Sequence, residues 1–406
     1  MIQALPDHSI ALVFSGKAPY KIGDEKYPFS VDRSFYYFTG IDKENMTLVV
    51  FKNGEIQTEM LFLEEYDEFL AKWIGGRLLP EEATEISGVE DIYWCNEMME
   101  ELHKLIQRIQ DSGHKAQIFA DFHKQEAYQE GIASVSFCKE LLALHPSLTL
   151  ENLYPITTRL RLVKEPSEIK QLKEAISVTN EGILQMMRNV EPELGEHQLE
   201  ACFDFVLKSN LCHHSFPSIV ASGENATILH YADNDMYMED NTLVLCDLGA
   251  AYEYMNADIT RTFPVNGKFT KRQRQIYDIV LRANKYIMSI VKPGISLRGL
   301  NNECIRFYEK ELSAIGLLQD DKTISDYYYH SVSHMLGLET HDVTLPDYLL
   351  EPGNVITIEP GLYLEDEEIG IRIEDDVLIT EDGCINLSEE IIKEADEIEQ
   401  FIQTAA

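Results

Sequence analysis

The chain has 406 residues, 45% of them apolar, enough for about two or three domains with their own cores. Its 70 acidic residues outnumber 34 basic ones and give a formal charge of −36, which excludes negatively charged nucleic acid as a partner. No apolar run approaches the roughly 20 residues of a membrane helix, so a membrane-spanning protein is excluded as well.

The N-terminal segment, MIQALPDHSIALVFSG, lacks the basic residues that begin a signal peptide. The seven cysteines are scattered, odd in number and free of any Cys-x-x-Cys pair. This pattern is typical of reduced thiols and not of a disulfide framework. Together these features predict a soluble, cytoplasmic protein.

Short apolar segments closed by glycine or charge predict strands at 9–16, 47–54 and 59–65. The segment NEMMEELHKLIQRIQ (96–110) has the apolar spacing of a helix. Strands that alternate with helices predict an α/β domain over residues 1–160.

The segment YPITTRLRLVKEPSEIK (154–170) predicts a linker that runs into a helix. Pro166 suits the first turn of that helix, and acidic residues follow it. We therefore predict a domain boundary near residue 160 and a second domain over 161–406.

The second domain contains an apparent internal repeat. A helix ending in MMRNVEP (186–192) precedes a second helix, EHQLEACFDFVLKSN, and later MSIVKP (288–293) precedes LRGLNNECIRFYEKEL. A β-rich segment follows each helix pair. The identity between the halves is low, and chance similarity between two helix pairs is the alternative explanation. A true repeat would make this domain pseudo-symmetric.

Two aspartates in the first half lie in apolar strands where charge is unfavourable. In TLVLCDLGAAYEYMNADITRTF, Asp247 ends an apolar run and Asp258 lies between Ala257 and Ile259. A buried acid is costly unless it is paired or binds a cation. The stretch 249–254 permits a hairpin that would bring both aspartates onto neighbouring strands.

The second half repeats this arrangement with two glutamates. Glu359 ends the apolar run of NVITIEPGLYL, and Glu374 ends that of IGIRIEDDVLIT. Salt bridges and turn acids are the alternative explanation for each acid alone. Four clustered carboxylates, however, cannot all stay ionised without cations.

The segment HSVSHMLGLETHD contains His330, His334 and His341. The first two have the spacing of two zinc ligands on a helix, so spacing alone leaves a three-histidine site open. Four carboxylates and one imidazole instead describe a site for two divalent ions, best suited to Mn²⁺, with Co²⁺, Zn²⁺ or Fe²⁺ as alternatives. Such a site predicts hydrolysis, most plausibly of an amide.

The motifs SGENATILHY, DLG, DITRT, HSVSHMLGLETHD, IEPGLY and GIRIEDD resemble the creatinase/prolidase/methionine-aminopeptidase family of "pita-bread" metallopeptidases. KYPFSVDRSFYYFTGI (26–41), KWIGGRLLP (72–80) and the C-terminal segment 381–399 are similar to Xaa-Pro aminopeptidases within it. The resemblance implies an α+β protein. It would have a C-terminal pseudo-symmetric pita-bread catalytic domain and an N-terminal α/β creatinase-like domain.

The resemblance also implies an aminopeptidase that cleaves Xaa-Pro bonds at peptide N-termini, using a hydroxide between two metal ions. The implied metal ligands are Asp247, Asp258, His334, Glu359 and Glu374, with Asp258 and Glu374 bridging the ions. The implied catalytic residues are His230, His341, Glu359 and Arg372. The implied substrate-binding residues are His230, His330, His341, Tyr363 and Trp73.

Two other functions stay open from the sequence. A prolidase, which accepts only Xaa-Pro dipeptides, shares the same site, and a non-catalytic peptide-binding module could use the same fold. The resemblance further implies a homodimer or homotetramer. The first domain would serve oligomerisation and the pocket rim, and Trp73 would lie at an interface or pack within its own chain.

Overall fold

The structure, a computed structural model, describes residues 1–65, 67–124, 133–319 and 321–405. The chain divides into two compact units, Met1–Arg161 and Leu162–Ala406. Within the described ranges, no helix has both the length and the apolar character needed to cross a membrane.

A mixed six-stranded sheet forms the centre of the first unit. The strands of this unit are β1 (Ser9–Phe14), β2 (Tyr20–Ile22), β3 (Glu25–Lys26), β4 (Thr47–Asn53), β5 (Ile56–Leu63), β6 (Asp91–Trp94), β7 (Gln117–Ala120) and β8 (Thr149–Asn152). The sheet has the order β6-β5-β4-β1-β7-β8, and β2 and β3 form a separate hairpin. β1 pairs antiparallel with β4 and parallel with β7. The three strands predicted from the sequence are confirmed as β1, β4 and β5.

Helices accompany this sheet. They are α1 (Arg33–Thr39), α2 (Glu68–Ile74), α3 (Pro80–Ser87), α4 (Met98–Asp111), α5 (Ala133–Leu144) and α6 (Tyr154–Leu162). α4 is the helix predicted at 96–110. Its buried residues Leu102, Leu105, Ile106 and Ile109 recur every three or four positions, so one face joins the core of the sheet.

The prediction of a linker at 154–170 is wrong over its first half, because helix α6 occupies Tyr154–Leu162. The Asn152 side chain accepts a hydrogen bond from the Tyr154 amide at the helix start, and proline is tolerated in a first helical turn. Thr157 and Thr158 of this helix are buried. The prediction for Pro166 is confirmed, since it is the first residue of the next helix.

The second unit contains the predicted repeat of helix pairs. Its helices are α7 (Pro166–Asn189), α8 (Glu196–Ser209), α9 (Lys271–Ile290), α10 (Leu297–Ala314) and α11 (Ala395–Ala405). α7 and α9 both end at a valine in extended conformation, with φ/ψ of −67°/128° at Val190 and −62°/128° at Val291. The two helix ends are therefore conformationally equivalent, as a genuine repeat requires.

Each helix pair is followed by antiparallel strands. The strands are β9 (His213–His214), β10 (Ile219–Ser222), β11 (Leu243–Leu248), β12 (Ala250–Tyr252), β13 (Met255–Asn256), β14 (Ile259–Pro264), β15 (Val355–Ile358), β16 (Gly361–Leu364), β17 (Ile369–Arg372), β18 (Asp375–Ile379) and β19 (Cys384–Asn386). β11 pairs with β14 in the first half, and β15 pairs with β18 in the second. The unit is thus α+β with two related halves.

Candidate active site

The hairpin of the first half brings its two aspartates together. Leu248 pairs with Ile259, so Asp247 lies one position before that pair and Asp258 directly precedes β14. Gly249 makes the close approach possible, because an added Cβ would lie only 1.8 Å from the Ala257 carbonyl oxygen. The glycine of the DLG motif is therefore a requirement of the backbone geometry.

The second half places its two glutamates in matching positions. Ile358 of β15 pairs with Asp375 of β18, so Glu359 and Glu374 are adjacent in register just beyond that pair. The Glu374 amide donates to the Thr260 carbonyl oxygen at 3.1 Å. This bond joins the second half to β14 of the first, so all four acids converge.

The histidine segment 330–342 is not helical, which removes the reason for expecting a zinc pair at His330 and His334. His334 lies beside β15, where its amide donates to the Thr357 hydroxyl and its carbonyl accepts from the Thr357 amide. Its ring Nδ1 lies 3.0 Å from the Met335 carbonyl oxygen and must carry the proton of that bond. The lone pair of Nε2 then faces the acids, 3.3 Å from Asp258 Oδ2.

These side chains fit a divalent cation. The ligand atoms of Asp258, His334 and Glu374 all lie within 4.8 Å of one another. The buried Oδ1 of Asp247 has no hydrogen-bond partner, which is costly for a carboxylate oxygen unless a cation is bound there. Carboxylate oxygens with one imidazole are ligands for a hard or borderline divalent ion.

The electrostatics of the cluster indicate the same requirement. Burial, and then the charges of Asp247 and other nearby acids, raise the pKa of Asp258 well above its usual value. Burial and the charge of Asp258 do the same to the pKa of Glu374. At Glu359, burial alone would raise the pKa, but the hydrogen bond from His330 and the nearby Arg372 guanidinium lower it. Without a cation, the surroundings therefore disfavour the ionised forms of Asp258 and Glu374.

Arg372 donates hydrogen bonds that hold the acidic side chains of the cluster in place. Its guanidinium donates to Asp247 Oδ2 at 2.6 Å, to the Thr260 hydroxyl at 3.0 Å and to the Tyr363 hydroxyl at 2.8 Å. Since Arg372 supplies the proton to Thr260, the Thr260 hydroxyl donates its own to Glu374 Oε2, at 2.6 Å. The sequence reasoning missed Thr260, although its position two residues after Asp258 on a strand places both side chains on one face.

The same hydrogen-bond network fixes the orientation of the His330 ring. The Tyr363 hydroxyl accepts from Arg372 and so donates to His330 Nε2, 2.9 Å away. His330 Nδ1 then carries the proton, 2.8 Å from the Ser331 carbonyl oxygen and 3.4 Å from Glu359 Oε2. His330 is thus held beside Glu359 with a fixed ring orientation, outside the cluster of candidate ligands.

A cavity of about 330 Å³ opens onto these groups. Its lining residues are Phe216, Pro217, Ile219, Leu229, His230, Ala232, Asp247, Asp258, His330, His334, Thr340, His341, Glu359, Arg372 and Glu374. The His341 ring lies edge-on to the His334 ring, with centroids 4.4 Å apart. Desolvation of the ring, and then the nearby His334, lower the pKa of His341. The cavity is therefore lined by carboxylates, several histidines and apolar side chains.

Trp73 is not among the residues that line this cavity. It belongs to α2 of the first unit, its side chain is 76% exposed, and its ring centroid lies 6.3 Å from that of Phe69. Packing inside its own unit is therefore not its role. Its assignment to substrate binding stays a prediction.

Glu196, at the start of α8, is a buried residue that the sequence reasoning missed. Its Oε1 accepts from the Ser222 amide and hydroxyl, both at 2.7 Å, and from the Asn225 amide at 3.3 Å. Its Oε2 accepts from the Tyr231 hydroxyl at 2.8 Å and the Met236 amide at 3.1 Å. One carboxylate therefore organises the segment that carries His230.

Replacing Glu196 by glutamine should loosen this segment. The amide NH₂ group cannot accept the donors that now meet one carboxylate oxygen, and each buried unsatisfied group costs about 1–3 kcal/mol. We expect a lower melting temperature and a lower kcat/KM, because His230 lines the cavity. Thermal melts and peptide kinetics will measure both. Glu174→Gln, the same change at an exposed site, is the control, and equal behaviour of the two variants would contradict this role.

A buried ion pair supports the His341 segment. Lys164 Nζ lies 2.9 Å from Asp342 Oδ2, and both side chains are only 1% exposed. Gly337 packs against this pair, since an added Cβ would lie 2.3 Å from Asp342 Oδ2. Asp342 directly follows His341, so the pair fixes the backbone from which that imidazole projects.

Replacing Lys164 by methionine should destabilise the second unit. Removal of one partner leaves a buried charge, which costs about 3–5 kcal/mol. For a unit of this size the cost corresponds to a fall of about 6–20 °C in melting temperature. The double variant Lys164→Met/Asp342→Leu removes both charges and should recover much of the loss. Equal melting temperatures for the single variant and the unmodified protein would show that the pair is not structural.

Comparisons with known proteins agree with this geometry. Residues 170–381 match Metallopeptidase family M24, and residues 1–112 match Aminopeptidase P, N-terminal domain. The Xaa-Pro aminopeptidase of Escherichia coli (strain K12) is 32% identical over 100% of this chain and 96% of its own length. That of Haemophilus influenzae is 34% identical over 97% and 93%.

Solved structures give the same result. A structure described as an aminopeptidase P from Bacillus anthracis has a TM-score of 0.95 at 44% identity, covering 100% of this chain and 96% of its own. Aminopeptidase P from E. coli with the inhibitor Pro-Leu has a TM-score of 0.89 at 32% identity, with the same coverage. The predicted α+β pita-bread fold with an N-terminal creatinase-like domain is confirmed. The chain is an enzyme that belongs to metallopeptidase family M24, and within it to the aminopeptidase P proteins.

Proposed function

We propose that this metallopeptidase hydrolyses the bond between the N-terminal residue of a peptide and a following proline. The observation that carries the proposal is the convergence of all the predicted ligand side chains on one cavity: Asp247, Asp258, His334, Glu359 and Glu374. The relatives named Xaa-Pro aminopeptidase, similar over nearly their whole length, support this substrate class over that of a prolidase.

We further propose that two divalent ions bind per chain, and that Asp247, Asp258, His334, Glu359 and Glu374 would hold them. Four carboxylates and one imidazole favour Mn²⁺, with Co²⁺, Zn²⁺ or Fe²⁺ as alternatives. A Zn-substituted E. coli aminopeptidase P in complex with product supports zinc as one of those alternatives. When bound, such ions lower the pKa of a shared water toward neutrality and polarise a scissile carbonyl.

Side chains of the protein itself are proposed to carry out the other parts of the reaction. His341 directs an N–H group at the carbonyl oxygen as charge develops there, which is an oxyanion role. Glu359 takes the proton of the attacking water and returns it to the leaving proline nitrogen. Arg372 and Tyr363 hold the acids and His330 in place through the hydrogen bonds described above.

The apolar wall of the cavity suits the proline ring. Phe216, Pro217, Ile219 and Leu229 are apolar lining residues of the cavity. A hydrophobic surface beside a few oriented polar groups is the usual composition of a small-ligand pocket. The E. coli relative solved with the inhibitor Pro-Leu supports a proline subsite in this cavity.

The test is cleavage of defined peptides by protein of known metal content. Metal-stripped protein reloaded with Mn²⁺, Co²⁺ or Zn²⁺ should release the first residue from Xaa-Pro-Yaa tripeptides and leave Xaa-Ala-Yaa intact. Glu359→Gln, which removes the proposed proton carrier, is the inactive control. Absence of cleavage with every metal would overturn the proposal.

The same experiment separates two alternatives. A prolidase would cleave the Xaa-Pro dipeptide and leave the tripeptide intact. A non-catalytic peptide-binding module would bind fewer than one ion per chain after loading and cleave neither.

We also propose a homodimer or homotetramer in which Trp73 meets a neighbouring chain, with residues 1–160 mediating assembly. The exposure of Trp73 (76%) and Phe69 (69%) on α2 supports an interface there. Light scattering on the unmodified protein and on Trp73→Ser will measure the oligomeric state. A monomeric mass for the unmodified protein would contradict the proposed assembly. A cytoplasmic location is supported by the seven cysteines, all of which are free.

A further inference from the structure

Two histidines of the first unit face each other far from the catalytic cluster in the sequence. His103 projects from α4, and His145 directly follows the last residue of α5. His103 Nδ1 lies 3.3 Å from His145 Nε2. His103 is exposed and His145 is partly exposed, so an ion in solution can reach the pair.

The two rings do not meet head-on. Their ring centroids are 5.0 Å apart, and the two nitrogens are 3.3 Å apart. Rings aligned along a straight N–H···N bond would add two ring radii, about 2.3 Å, to the nitrogen separation. The contact between the two nitrogens is therefore bent and not aligned with the ring axes.

Two imidazole nitrogens at this spacing suit a chelated metal ion. Two imidazole nitrogens about 2.1 Å from one zinc ion, at a near-tetrahedral angle, lie about 3.4 Å apart. The observed 3.3 Å matches that separation without movement of the backbone.

The surroundings favour a cation at this place. The His145 amide donates to the Leu141 carbonyl, so His145 caps the C-terminus of α5, the negative end of that helix. Burial and the neighbouring His103 lower the pKa of His145, which keeps its lone pair available near neutral pH. Leu105 and Ile109 of α4 and Leu141 of α5 share one core, so the backbone positions of both histidines are fixed.

We propose that His103 and His145 form a second, two-histidine metal site that is independent of the catalytic centre. An imidazole-only site selects a borderline transition ion such as Zn²⁺, Ni²⁺ or Cu²⁺, with water completing the coordination. Mn²⁺, which prefers oxygen ligands, binds there poorly. The two sites thus differ in metal preference.

The experiment uses the full chain first loaded with Mn²⁺ and then equilibrated with Zn²⁺, followed by metal counting after dialysis. The unmodified protein should retain one Zn²⁺ per chain more than His103→Gln/His145→Gln. Each single variant should weaken that binding at least about tenfold, because chelation is lost. Cleavage of a Xaa-Pro tripeptide by the Mn²⁺-loaded protein should be the same for all variants.

His114→Gln is the matched control. His114 stacks face to face on His8, with centroids 3.7 Å apart and planes inclined by 12°, so the nitrogens of that pair do not converge. This variant should retain the extra ion. Equal Zn²⁺ content in the unmodified protein and the double variant would show that His103 and His145 share only a hydrogen bond. Loss of the ion in His114→Gln would reveal unspecific binding to surface histidines, which also overturns the proposal.

Discussion

Replacing Asp258 by asparagine is expected to abolish peptide hydrolysis and to remove bound metal. Asp258 Oδ2 faces His334 Nε2 at 3.3 Å, and the side chain is in the one compact cluster of candidate ligands found in the described parts of the chain. Asparagine keeps the shape but removes the charge that would hold both ions. Metal catalysis supplies several kcal/mol, so activity should fall by at least about 10³-fold.

Metal analysis and tripeptide kinetics on the same sample will check this expectation. Asp278→Asn, the same substitution at a partly exposed position on α9, should leave both unchanged and serves as the control. Circular dichroism should show that the fold of the Asp258 variant is intact. Full activity with undiminished metal in Asp258→Asn would remove that carboxylate from the proposed ligand set.

Replacing His341 by alanine should leave metal in place and lower turnover. His341 lines the cavity, but it is outside the cluster of Asp258, His334 and Glu374. Loss of one oxyanion donor costs about 10²–10³ in kcat. KM should change much less, because the interaction strengthens only as charge develops on the carbonyl oxygen.

Metal content measured beside kcat and KM distinguishes the possible roles of His341. His341→Gln retains an N–H donor and should recover part of the turnover lost in His341→Ala. An alanine variant that loses its metal would mean that the division of the histidines between ligand and donor is wrong.

The elements that position the acids could be predicted from the sequence because they are local patterns. An acid that ends an apolar run predicts its own burial, and the DLG motif predicts the tight hairpin that Gly249 permits. The division of three neighbouring histidines between metal binding, substrate binding and catalysis was implied only by the family resemblance. That division stays a prediction, and the non-helical path of 330–342 is consistent with it, since no helical face aligns His330 with His334.

The missed features depend on residues far apart in the chain. In the sequence, Glu196 has the pattern of an ordinary acidic residue in the first turn of a helix. Its buried carboxylate accepts from donors 26 to 40 positions away. Lys164 and Asp342 are separated by 178 positions. Helix α6 was missed as well, and two of its residues, Thr157 and Thr158, are polar but buried.

The bond between the Glu374 amide and the Thr260 carbonyl has a consequence for assembly of the second unit. Each half contributes two carboxylates, so neither half alone presents a complete set of ligands. A divalent ion would therefore bind the joined halves and not the separated ones, and would stabilise their union by mass action. At 100 times its dissociation constant it would contribute about 2.7 kcal/mol. The supply of metal in the cell would then set the lifetime of the folded enzyme as well as its activity.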